Sequence, residues 1–186
     1  MNATGSRYAK TLARIQSGLM SRDELQQLGR NAKTKAEAGD HEAEEVLQAL
    51  VTATCVDTEY VFLGFCPDAQ FEKRQDLEWR TSGHCSFDFL EDKAQTSRFQ
   101  RIVAGDLIVL KKRHEFGKTM KLYGHGRARS PARMQGGVLL IDVQWSNQAE
   151  VIEVPLLGCN TTVDVRSLEV LRTQAMPPSF FEWLKV

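Results

Sequence analysis

The sequence has no apolar stretch approaching the roughly 18 residues of a membrane-spanning helix, and its four cysteines (Cys55, Cys66, Cys85, Cys159) contain no Cys-x-x-Cys pair. The first absence excludes a helical membrane protein, and the second excludes the commonest zinc and thioredoxin-like frameworks. The N-terminus also lacks the apolar block of a secretory signal, so the expectation is a cytoplasmic chain with reduced, mostly buried thiols and no membrane partner. In that compartment the triplet Asn160-Thr161-Thr162 has no meaning as a glycosylation site. Any net charge is lacking too, with 24 basic residues against 24 acidic ones. A hydrophobic content of 42% and a charged content of 26% are ordinary for a globular chain, which excludes wholesale disorder. At 186 residues the chain accommodates one large domain, or a medium domain with an appendage.

The balanced total hides an uneven distribution. Residues 111–133 carry eight basic side chains (Lys111, Lys112, Arg113, Lys118, Lys121, Arg127, Arg129, Arg133) against Glu115 alone. Such a concentration points to an anion-binding surface, with a solvated face as the plainer reading. It lies on the stretch around which the chain is organised. Gly105-Asp106 suits a tight turn into the apolar, branched run Leu107 to Leu110, and after a basic loop Lys121 to Ala128 reads as a second strand. The loop is too short for a helical crossover, so an antiparallel hairpin with a positively charged tip is expected. The glycines Gly124 and Gly126 mark either a sharp bend or a place where a ligand meets the backbone.

Before this hairpin the period is helical. Tyr8, Leu12, Ile15 and Leu19 predict a helix over about 7–19. Ser21 with Glu24 forms a capping-box pattern, opening a helix that runs to Gly39, and Asp40 caps a third. At about Asp57 the pattern changes to strand: Tyr60 to Phe65 reads as a central strand ended by Cys66-Pro67-Asp68. Phe71 to Trp79 is expected to be a short helix, Thr81 to Ser86 a small-residue loop, and Phe99 to Val103 the lead into the hairpin. Beyond it, Ser130 to Gly137 is expected to be a loop and Val138 to Trp145 a strong strand. Val151 to Val154, Val163 to Val165 and Leu168 to Leu171 are expected as shorter strands, and Pro177 to Leu184 as a terminal helical turn. Five or six strands with little helix between them argue for a small barrel rather than a βαβ sheet.

The string Phe99 to Lys112, followed by Tyr123-Gly124-His125-Gly126-Arg127-Ala128 and Leu140-Ile141-Asp142-Val143-Gln144-Trp145, resembles the PUA-like superfamily. It is most similar to the EVE branch and to the DNA-binding domain of McrB-type modification-dependent restriction systems. The matching positions are Tyr60 to Gly64, Trp79, Gly105-Asp106 to Lys111, Gly124 to Gly126 and Asp142 to Trp145, and the resemblance covers about residues 58–186. It implies a PUA-like mixed β-barrel over 57–186 and leaves unexplained the helical segment that the apolar period gives over 1–56; together these make the expected chain α+β. The resemblance also implies a cleft that holds a nucleobase, often a modified one, flipped from a duplex or splayed from a single strand.

The chemistry agrees with that implication. Extruding a base costs a few kcal/mol, recovered by stacking on aromatic faces while Lys and Arg hold the phosphates. The expected nucleic-acid-binding set is Trp79, the loop Ser82, Gly83, His84, and the strand Tyr123, Gly124, with Lys112, Arg113, Lys118 and Arg127 at the rim. The partner is DNA or RNA. No catalytic residue, metal or cofactor is expected. His84 and Cys85 point to opposite faces of any strand; of Asp88, Asp106 and Asp142, which might suggest a metal-dependent nuclease, the Asp142-Val143-Gln144 tripeptide lacks the lysine such sites commonly carry, and the resemblance gives Asp106 a structural role in a turn. The helices are expected to cover the barrel or to mediate self-association. An enzyme acting on nucleic acid or a small molecule, and a protein-interaction adaptor built on the helices, are the alternatives.

Overall fold

The computed structural model describes residues 7–50, 53, 57–66, 72–147 and 150–185. Residues 1–6, Cys55, Pro67, Asp68 and Phe71, on which sequence expectations fell, lie outside them. The chain opens with three helices, α1 (Ala9–Gln16), α2 (Arg22–Glu37) and α3 (His41–Leu50). The expected capping box is formed: Ser21 Oγ accepts from the Glu24 N–H at 3.3 Å, and the Glu24 carboxylate accepts from the Ser21 N–H at 2.8 Å. Gly39 turns the chain at φ +88°, a conformation that costs glycine little. Ile15, Met20, Leu25, Ala32 and Val46 pack together, and Val103 from the hairpin's approach joins them. The helices therefore share a core with the start of the sheet.

Among the described residues eight strands form one curled sheet, half of a barrel, in the order β2-β6-β4-β3-β1-β8. These are β1 (Glu59–Gly64), β2 (His84–Phe87), β3 (Leu107–His114), β4 (Thr119–Ala128), β5 (Arg133–Gln135), β6 (Val138–Trp145), β7 (Ile152–Pro155) and β8 (Val163–Ser167). β5 pairs with β6, and β7 with β4. The organising stretch is an antiparallel hairpin, β3 against β4, closed by a 3-10 turn over Glu115–Gly117. β1 pairs with β3 in parallel, so the chain does cross over between them, contrary to a pure meander.

That crossover holds α4 (Asp76–Ser82), β2 and α5 (Lys93–Gln100). Three sequence expectations are corrected, the first being the loop expected over Ser130 to Gly137, which holds the short strand β5 paired with β6; one helix that was not anticipated also appears. His84 to Phe87 is a strand paired with β6, because Cys85 and Phe87 alternate inward while Gly83 alone makes the turn, at φ +75°. Residues 93–100 are a helix with a single buried side chain, Phe99, so no apolar period announced it. Its start is the cap, the Asp92 carboxylate accepting from the Gln95 N–H at 3.0 Å. Residues 168–173 are α6 (Leu168–Thr173), not a strand: Ser167 caps it, and Leu171 is the residue driven inward. The final helix α7 (Pro178–Trp183) begins with proline as expected.

The sheet is covered on both faces, which explains the unbroken apolar runs of β1 and β3. On one face Val61, Leu63, Ile108 and Leu110 pack with Trp79, Phe87, Phe99 and Ile141. On the other, Phe62, Val109, Met120 and Leu122 pack with Leu171, Phe180 and Trp183 from α6 and α7. The entry turn of β3 is also the latch for the helices. Gly105 sits at φ +94°. Asp106, fully buried, accepts from both terminal nitrogens of Arg22 at 2.5 Å and from the N–H groups of Val103 and Glu59 at 3.0 Å each.

Candidate nucleic-acid interface

A β-bulge between Leu110 and Lys111 decides how the hairpin displays its charges. Leu110 faces Gly124 but Lys111 faces Leu122, so Tyr123 is the extra residue on β4. Lys111 turns inward, only 3% exposed, and its ammonium donates to the carbonyls of Cys159 and Thr161 at 2.6 Å each and to Asp164 at 2.7 Å. Burial pulls its pKa down, opposed by Asp164. One of the eight cations of the basic segment is thereby removed from the surface.

The others divide between the two ends of the hairpin. Arg113 and Lys118 are exposed at the tip, with Lys112 and Lys121 half-buried beside them. Arg127 pairs across from Leu107, six positions along β3 from Arg113, a span of about 20 Å at the strand rise of roughly 3.3 Å per residue. Its guanidinium donates to the Gly105 carbonyl at 3.1 Å. A single rim holding Arg113 and Arg127 together is not formed.

Nor do the expected cleft walls converge. Trp79 is only 3% exposed and lies within the core, because α4 packs its inner side against the sheet; its carbonyl accepts from the Trp145 indole N–H at 2.8 Å. Ser82 ends α4, its hydroxyl donating to the Glu78 carbonyl at 2.8 Å. Gly83 caps the helix and His84 pairs with Asp142 on β6. Tyr123, half-buried, meets Phe65 edge-on at 5.1 Å, with the Arg74 guanidinium 5.4 Å from its ring centre. The glycines of β4 give way to the protein's own side chains. A Cβ on Gly124 would come within 3.4 Å of the Arg80 guanidinium, and one on Gly126 within 2.6 Å of Val143 Cγ1 and 2.7 Å of the Gln144 carbonyl.

Asp142 takes two bonds from Arg133, at 2.7 and 2.8 Å, which hold its carboxyl below the usual range. Burial pushes the Cys85 thiol well up and the Cys159 thiol up to about 11, so both stay protonated and poorly nucleophilic. At the tip, Glu153 accepts from Thr119 at 2.6 Å and lies 3.2 Å from His114 Nδ1, and both contacts lower its pKa. His114, Glu115 and Glu153 bring ligand-type atoms within 4.8 Å of one another. The trio stands beside Lys118 and Lys121, a setting that opposes a cation.

One feature has no counterpart in the sequence pattern: a cavity of about 460 Å³ between α2, α3 and residues 129–133. It gathers Arg30 and Lys33, distant in sequence, beside Arg129 and Arg133. No spacing motif links these positions, because the cavity is made by docking the helices on the turn at Asp106. Among the described residues, no helix is long and apolar enough to cross a membrane. No family model, curated protein or solved structure matches the chain.

Proposed function

We propose that this chain is a non-enzymatic nucleic-acid-binding module with a PUA-like sheet, engaging a single-stranded or splayed segment of DNA or RNA at the tip of the β3–β4 hairpin. The observation that carries this reading is the exposed cationic tip. Arg113 and Lys118 face solvent there with Lys112 and Lys121 alongside; of the carboxylates, Glu115 lies in the turn itself, and Glu153, opposite Lys121 on β7, is bonded to Thr119 and His114. Phosphates binding such a surface release counterions, which makes affinity fall with salt at a slope of about −0.7 per phosphate contact for single strands. The base itself is assigned to Tyr123, the half-exposed aromatic beside the bulge, rather than to the buried Trp79. Tyr123 is the extra residue of that bulge and stands two positions along β4 from Lys121. Packing of Val103 among the helices favours the covering role for the N-terminal segment over self-association.

The test is a salt titration of oligonucleotide binding, with single-stranded DNA and RNA, for the full chain and for Arg113→Ala/Lys118→Ala. The double variant is expected to weaken binding to both strands and to reduce the salt slope by about 1 to 2. A slope unchanged from the parent, or no binding of either strand at low salt, overturns the proposal.

A further inference from the structure

The cavity under α2 and α3 is not used by the hairpin tip, which lies about 30 Å of strand away at the other end of β4. Its walls are apolar, built from Leu25, Leu47, Leu50, Val103, Ala104 and Ala132. Around them stand Arg30, Lys33, Arg129 and Arg133, and no carboxylate is among the described residues of the lining. Arg133 is already engaged with Asp142. The other three are less committed. Arg30 bonds the neutral side chain of Gln27 at 2.8 Å, Lys33 is a loose 3.9 Å from an exposed Glu37, and Arg129 has no side-chain bond among the described residues.

Gly29 adds a second observation. It lies in the interior of α2, where glycine weakens a helix relative to alanine, and its backbone has no positive φ that would require it. Nor does crowding: among the described residues a Cβ there would meet only Leu50 Cδ1, at 3.6 Å. What the missing side chain leaves is room in the cavity wall.

An apolar body with a negatively charged head satisfies this arrangement. A nucleobase does not, because its edge needs fixed donors and acceptors. The lining offers few beyond Gln26 and Ser130, and the Ser130 hydroxyl already serves Arg133 and the Asp142 N–H. We infer that the cavity binds a small anionic amphiphile of the fatty-acid carboxylate class, its chain among the leucines of α2 and α3 and its head at Arg129, Arg30 and Lys33. The volume falls within the roughly 300–1,000 Å³ usual for small-ligand sites.

Calorimetric titration of the full chain decides this, using dodecanoate below its micelle concentration, dodecyltrimethylammonium as the same chain with opposite charge, and butyrate as the same head without the chain. Dodecanoate is expected to bind one per chain, at least about tenfold tighter than either comparison. Gly29→Leu fills the cavity with a better helix former, so it is expected to abolish binding without lowering the melting temperature. Ala132→Phe fills the cavity from the opposite wall and decides the point if Gly29→Leu does not fold. Arg129→Glu is expected to weaken dodecanoate and to narrow its advantage over the cationic amphiphile. Equal binding of the two amphiphiles, or a filled variant that titrates like the parent, overturns the inference. So does stoichiometric displacement of dodecanoate by a single-stranded oligonucleotide, which would make the cavity part of the nucleic-acid surface.

Discussion

Replacing Arg22 by Met keeps the length of the side chain and deletes its charge, leaving Asp106 in a site where neither partner sees water: Asp106 is 0% and Arg22 4% exposed. Breaking a buried pair by removing one member typically costs about 3–5 kcal/mol, because the surviving charge is uncompensated. Here the carboxylate keeps two backbone donors, the N–H groups of Val103 and Glu59 at 3.0 Å each, so the lower end of that range, about 3 kcal/mol, is expected. With a urea slope of about 2 kcal/mol/M for a chain of this size, the midpoint should fall by about 1.5 M. Glu59 supplies an internal check. Burial already raises its carboxyl pKa, with Arg22 the main opposing influence, so the variant should push it higher still. A double-mutant cycle with Asp106→Asn separates the pair from simple packing. If Arg22→Met costs less than about 1 kcal/mol, or costs the same with Asp106→Asn already present, the latch is not what holds the helices to the turn.

Gly126→Ala should destabilise by about 1–3 kcal/mol, since its Cβ would lie 2.6 Å from Val143 Cγ1 and 2.7 Å from a backbone carbonyl that cannot swing away. Gly124→Ala, at 3.4 Å from a guanidinium, should cost much less, and equal midpoints in urea for the two would contradict the packing account. His125 is buried against Trp183 at 4.7 Å, its Nε2 has no bond among the described residues, and burial lowers its pKa, with Arg127 and Arg80 adding to the shift. The unfolded chain then takes up the proton first. Stability is therefore full above the ordinary histidine value of about 6.5 and is lost as the pH falls through the lowered folded value. Thermal melts of His125→Leu should show a shallower decline over that window. Tyr123→Ala should weaken oligonucleotide binding by about 1–3 kcal/mol with little change in salt slope, measured by fluorescence anisotropy; an unchanged affinity removes Tyr123 from the interface.

What was legible in the sequence was local. Ser21 with Glu24, Gly39, and the Gly105-Asp106 turn each satisfy backbone groups within a few residues, so their geometry follows from residue type. The short elements were not legible, because their apolar spacing is ambiguous. Leu168, Val170 and Leu171 fit a strand or a helix equally, and only the Ser167 cap and the inward Leu171 decide for α6. For the site, the charge count was visible but its partition was not. Lys111 differs from Lys112 only in which face of β3 it takes, and which face is buried follows from what packs on the sheet, Cys159, Thr161 and Asp164 receiving the Lys111 ammonium. Trp79 illustrates the same limit: a ring next to small residues suits an opening or a core alike, and the packing of α4 placed it inside.

The latch also sets an order of events during synthesis. Arg22 and Asp106 are 84 residues apart, which at roughly 5–20 residues per second is a wait of about 4–17 s between the two leaving the ribosome. Over that interval the three helices are complete in length but lack both Val103, which joins their core, and the anion that neutralises Arg22. β1 waits as well, since its parallel neighbour β3 begins only one residue after Asp106. The nascent helical segment thus lacks Val103 from its apolar core for the length of chain between Arg22 and Asp106, and a single stretch, Val103 to Leu107, completes helices and sheet together.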